Sequence, residues 1–271
     1  MRVAVKESCM VRPAKETPRQ RLWLSNLDQL VVKKNDHMMT TMLQPYRPDG
    51  RSRNFFDGRV MKESLSQALV TFFPAAGRLA RDESGEFEID CGGQGVLFVE
   101  AETDATISDM GDFQPGPQLL QLVPQVDFSK GISSFPLLLV QLTRFRCGGV
   151  CLGIGYHHGL SDGTECYNLF TKWASLARGR LPVTANLLPF LDRTILRSRS
   201  PPAPTCHFVL NFGWGDPIFT RSPSYEGSRF ILSKPNDEND VSSLSINLEA
   251  VAMERFKGLF NTTWPQLHSH L

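Results

Sequence analysis

The chain has 271 residues, enough for one large domain or two small ones, and its 41% hydrophobic content is that of an ordinary folded protein with a core of normal size. Lys plus Arg number 29 against 28 Asp plus Glu, so no global field draws in nucleic acid or an anionic membrane, and a small-molecule partner is expected. No apolar run approaches the ~18 to 20 residues that span a bilayer, the first ten residues lack the apolar stretch of a signal peptide, and a cytoplasmic protein is expected.

Residues 1–30 hold short alternating apolar stretches broken at Pro13 and Pro18, which read as an edge strand and a short helix around Trp23. Over residues 58–73, Val60, Met61, Leu65, Ala68, Leu69 and Phe72 recur at three- and four-residue spacing, the mark of an amphipathic helix that Pro74 and Gly77 terminate. Residues 86–89 and 96–101 read as strands separated by the turn-forming Cys91-Gly92-Gly93. The strongest strand pair is 136–146 with 150–156, flanking the hairpin glycines Gly148 and Gly149. Its second strand delivers the chain to His157-His158.

After Asp162-Gly163, the residues Cys166, Leu169, Phe170, Trp173, Ala174 and Ala177 form one helical stripe closed by Gly179. Residues 198–207 have the proline density of a linker. Beyond it, 229–232 and 241–248 read as two strands and 250–260 as a final helix. The six cysteines form no CxxC pair and no zinc-spaced grid, so reduced thiols are expected, several of them buried.

Chemistry concentrates in the segment 155–163, GYHHGLSDG, set between an apolar strand and an apolar helix. A sharp turn there exposes an imidazole in a cleft, and histidine is the side chain best suited to take a proton near neutral pH. A lone histidine beside a strand is more often structural, but the pair with a following Asp-Gly favours a base. A metal is the rival: His158, Asp162 and Cys166 stand at four-residue spacing, yet no convincing third and fourth ligand accompanies them, and no metal is expected. Asp162, with Ser161, lies where helix caps belong and reads as structural support.

The run His157-His158-Gly159-Leu160-Ser161-Asp162-Gly163 resembles the HHxxxDG motif of the BAHD acyl-CoA-dependent acyltransferases. Phe212-Gly213-Trp214-Gly215 matches four of the five residues of their second signature, DFGWG. HxxxDG also occurs in chloramphenicol acetyltransferase, dihydrolipoyl acyltransferases and condensation domains, so the second motif discriminates. The segments YRPDG, NFFDGRVMKESLSQAL, FFPAAGRLARDESGEFEIDCGGQGVLFVEAE and FLDRTILRSRSPP are similar to the hydroxycinnamoyl-CoA:shikimate/quinate branch.

The resemblance implies an α/β fold of chloramphenicol acetyltransferase type, a mixed sheet with flanking helices. It implies an N-terminal acyltransferase domain over 1–197, the linker 198–207, and a C-terminal remnant of the second domain over 208–271. Between linker and second signature only residues 204–210 intervene, where the family has most of its second domain, so that domain is expected to be incomplete by about 150 residues.

By the same resemblance, His158 deprotonates an acceptor hydroxyl or amine that attacks the thioester, and Asp162 supports the loop. Asn211 stands at the position of the DFGWG aspartate, keeping its shape without its charge. Thr40, Trp214 and His157 are the implied substrate-side residues, with His157 packing or orienting and Trp214 read equally well as a core aromatic. On the acceptor-facing strand only Thr40 keeps the branch's pattern; Met42 and Gln44 depart from it. Acyl-CoA is a co-substrate, no cofactor is implied, and a monomer acting on small molecules is expected. The alternative function is a truncated, catalytically inactive fragment.

Overall fold

The computed structural model describes residues 1–25, 28–29, 32, 39–48, 55–111, 113, 116–161, 163–179, 189 and 191, together with the backbone of 231–233 and 243–245. The chain divides into two compact units, Met1–Pro223 and Ser224–Leu271. The proline-rich segment 198–207 and the helix expected over 250–260 lie outside the described residues.

The first unit is built on five strands: β1 (Val3–Val11), β3 (Met39–Tyr46), β6 (Val96–Thr103), β7 (Leu138–Phe145) and β8 (Val150–His157). They lie in the order β1-β6-β7-β8-β3. Only β6 and β7 run parallel, which makes the sheet mixed, as the family resemblance implied. A parallel neighbour needs a long crossover, and here its described residues carry the α-helical turn Pro117–Leu120 (α2) between the 3₁₀ turns Ser108–Met110 and Phe128–Lys130. A smaller antiparallel sheet holds β2 (Arg21–Trp23), β5 (Phe87–Asp90) and β4 (Arg78–Arg81) in the order β2-β5-β4, so Trp23, expected in a short helix, lies in a strand opposite Glu88.

The helix expected over 58–73 is α1 (Gly58–Thr71), whose first turn is capped by Asp57 accepting from the backbone N–H of Arg59 and Val60. The stripe after the double histidine is α3 (Gly163–Ala177). Both helices bury their apolar stripes in the same core as the strand residues Phe98, Val140, Leu142, Leu152 and Ile154. Trp173 of α3 is wholly buried, and its Nε1–H donates to Met61 O and Ser64 Oγ of α1, each at 3.0 Å. Full burial of such side chains contributes about 1.5–3 kcal/mol each, which fixes α3 and therefore the turn that precedes it.

Strand alternation sends the intervening residues to the opposite face. There Leu43, Phe145 and Cys151 pack with Ile107, Phe113, Leu119, Leu122 and Val123 of the crossover. The crossover comes so close that a Cβ on Gly153 would collide with the carbonyl oxygen of Leu122. Glycine is required there by space rather than by dihedral angle.

The second unit pairs β9 (Ile231–Ser233) antiparallel with β10 (Ser243–Ser245), with Leu232 opposite Leu244. These are the two C-terminal strands expected from the sequence.

Candidate active site

Strand β8 ends at His157, and the next three residues turn the chain towards α3. The turn closes with a bond from the Leu160 N–H to the His157 carbonyl at 2.9 Å. His157 has no exposed surface. Its backbone N–H donates to Leu137 O at 2.8 Å, and its Nδ1 accepts the Gly159 N–H at 3.0 Å. An Nδ1 that accepts carries no proton, so in the neutral ring the proton sits on Nε2. The ring stands 6.1 Å from that of Phe135. The His157 side chain thus has no accessible surface and holds the turn through Nδ1.

The glycine between His158 and Leu160 has no room for a side chain. A Cβ on Gly159 would lie 2.7 Å from Val32 Cγ2 and 3.2 Å from His157 Nδ1. The buried Leu160 anchors the turn from below, and Ser161 Oγ shares a hydrogen bond of 2.8 Å with Cys166 Sγ in the first turns of α3. Cys166 is therefore bound into the core side of α3.

His158 is left half-buried at the head of this turn, one residue beyond the sheet. A fixed main chain around an accessible imidazole is what proton transfer requires of a base.

Strand β3 brings Thr40 to the same end of the sheet. Met39 pairs with His157 and Thr40 with Tyr156, so Thr40 and His158 lie within two residues of each other along the β3–β8 register. Thr40 and Met42 are half-buried, whereas Gln44 and Tyr46 are fully buried, with the Tyr46 hydroxyl donating to Gln44 Oε1 at 3.1 Å. Of the two departures seen in the sequence, only Met42 keeps accessible surface. Gln44 belongs to the buried floor of the sheet. Asp162, Asn211 and Trp214 lie outside the described residues, so the site assembled here consists of Thr40, His157 and His158.

Two features escaped the sequence reading. The dependence of the turn on the bond from Gly159 to His157 Nδ1 has no periodic signature. Neither has Arg78, read only as part of a family segment, which the structure buries without a counter-ion among the described residues.

The model of the Transferase family matches residues 1–209 of this chain. The chain belongs to that family. Its members of BAHD type are acyl-CoA-dependent acyltransferases. The chain is 54% identical over 204 residues to a shikimate O-hydroxycinnamoyltransferase of Nicotiana tabacum, covering 75% of this chain and 45% of the relative. It is 42% identical over 248 residues to a hydroxycinnamoyltransferase of Narcissus pseudonarcissus, covering 92% of this chain and 53% of the relative. Among solved structures, vinorine synthase superposes with a TM-score of 0.58 at 25% identity, over 72% of this chain and 47% of that one. The chain thus spans about half the length of the curated relatives it matches.

Proposed function

We propose that this chain carries the base-bearing half of an acyl-CoA-dependent acyltransferase site that moves a hydroxycinnamoyl-type group onto an acceptor hydroxyl or amine. The observation that carries the proposal is the half-buried His158 at the end of β8, held by a turn whose other histidine is buried and hydrogen-bonded. The acyl group is taken from the relatives, which are named for hydroxycinnamoyl transfer.

In this reading His158 accepts the acceptor's proton as the oxygen or nitrogen attacks the thioester carbonyl carbon. The tetrahedral oxyanion then collapses, the C–S bond breaks, and the proton on His158 is available to the departing CoA thiolate. Acyl-CoA is consumed as a substrate, and no resident cofactor takes part. Thr40 borders the acceptor, Trp214 lies beside the reacting groups, Asp162 supports the loop, and Asn211 occupies the position of the signature aspartate.

A second reading concerns the chain by itself, and its span of about half the relatives' length favours it. Holding the thioester within reach of the base accounts for about 7–11 kcal/mol of an enzyme's advantage. A chain lacking most of the second domain supplies the base without the opposite wall of the channel. We therefore expect the isolated chain to turn over p-coumaroyl-CoA with shikimate, quinate or an arylamine at no more than the background rate, with His158→Ala changing nothing. Robust transfer by the purified chain, abolished by His158→Ala, would show instead that these 271 residues suffice.

A further inference from the structure

Arg78 opens β4 and is only 9% exposed. One of its guanidinium nitrogens, Nη1, donates to two backbone carbonyls, Gly77 O at 2.7 Å and Gly95 O at 2.8 Å. Nε and Nη2 have no partner among the described residues. The carboxylate opposite it in the β4–β5 register is Asp90, which accepts from Gln94 Nε2 at 3.3 Å and makes no ion pair with Arg78. Burial alone pulls the guanidinium down to about 10, with no carboxylate raising it back.

A buried cation without a counter-charge is costly. Joining two carbonyls needs only a neutral donor, so the hydrogen bonds to Gly77 and Gly95 do not account for an arginine. The fork it keeps unused is the one that binds carboxylate and phosphate oxygens in pairs.

Its surroundings are polar and close-set. Gly95 abuts the segment after β1: a Cβ there would lie 2.9 Å from Val11 O and 3.2 Å from Arg12 Cγ. Gln94 Oε1, in the same loop, is a buried acceptor with no hydrogen-bond partner. Exchanging the amide's oxygen and nitrogen would set an acceptor against the Asp90 carboxylate, so the orientation stands. Two guanidinium nitrogens of Arg78 are thus left as donors for an oxyanion, whereas the Gln94 oxygen, an acceptor, can engage only a protonated oxygen such as that of monoprotonated phosphate.

The register places this loop at the same end of the sheet as the double histidine. Leu97 pairs with Leu139, and Leu139 with Gly155, so Gly95 extends to the row that holds Leu137 and His157. Two strand spacings, about 10 Å, separate that row's ends. We propose that Arg78 and the 92–95 loop form a binding site for an oxyanion, phosphate or carboxylate, at the sheet end from which His158 emerges. That the oxyanion belongs to a substrate rests on the acyl-transfer reading above; the existence of the site does not.

Thermal unfolding of the full chain at constant ionic strength, with chloride as the reference salt, tests this directly. Inorganic phosphate, coenzyme A or shikimate at ten times its Kd should raise the melting temperature by roughly 3–6 °C, saturably. Arg78→Gln, which keeps a donor for the two carbonyls but loses the charge, should abolish the rise, and Arg78→Lys should retain part of it. A response to coenzyme A without shikimate assigns a phosphate, and the reverse assigns a carboxylate. No saturable response of the wild-type chain to any of the three, or an equal response in Arg78→Gln, overturns the proposal. Neither readout depends on turnover.

Discussion

Replacing His157 by alanine should cost far more stability than replacing its neighbour His158. Deleting the His157 ring leaves the buried Gly159 N–H without its acceptor, a loss of about 1–3 kcal/mol. It also opens a void beside Phe135 in a site with no solvent exposure, and the two together should reach about 3–4 kcal/mol. His158 is half-buried beyond the strand, so His158→Ala should stay within about 0.5 kcal/mol. Urea unfolding followed by far-UV circular dichroism reads both, provided the slopes agree. His157→Asn, whose side-chain oxygen can accept the Gly159 N–H, should recover about 1 kcal/mol. Equal losses at the two positions, or a loss below about 1 kcal/mol for His157→Ala, would refute the division of labour between them.

Other outcomes follow from packing and protonation. Gly153→Ala should destabilise by more than about 2 kcal/mol in the same assay, because its Cβ meets the Leu122 carbonyl rather than a movable side chain. The thiol of Cys151 is wholly buried and pushed up to about 12 by that burial, whereas Cys147 is exposed. A thiol reagent at pH 8 should therefore label Cys147 in the native chain and Cys151 only on unfolding. Because the folded-state value lies above the ordinary 9.0, the stability contributed by the neutral Cys151 is complete below about pH 9 and is lost as pH rises towards 12. A stability flat across that range, or native labelling of Cys151, would contradict its placement.

Local pattern made much of this legible in advance. The stripe of Met61, Leu65, Ala68 and Leu69 marks α1, and the paired glycines Gly148 and Gly149 mark the β7–β8 hairpin, because helical periodicity and turn chemistry are written in neighbouring residues. Pairing between distant strands is not written there. Residues 86–89 and 96–101 read as strands separated by Cys91-Gly92-Gly93, and nothing in that pattern tells that β5 pairs with β2 and β4 while β6 pairs with β1 and β7. β4 has only four residues with an arginine at each end, and nothing in its alternation announces a strand.

At the site, the motif pointed to the double histidine. Which imidazole is buried and which accessible depends on the Gly159 N–H and the ring of Phe135, contacts that no spacing predicts. Gln44 shows the same limit: it sits at an alternate position with Thr40 but is sealed under the Tyr46 hydroxyl.

The central claim is that His158 is the base, and it is tested most directly where the rest of the channel is supplied. In a chimera carrying the corresponding segment of the Nicotiana tabacum relative between Thr205 and Asn211, single-turnover transfer from p-coumaroyl-CoA to shikimate should be restored. His158→Ala should then slow the chemical step by about 10²–10⁴-fold, with binding of coenzyme A unchanged. A chimera that transfers the acyl group equally well with alanine at position 158 would contradict the account.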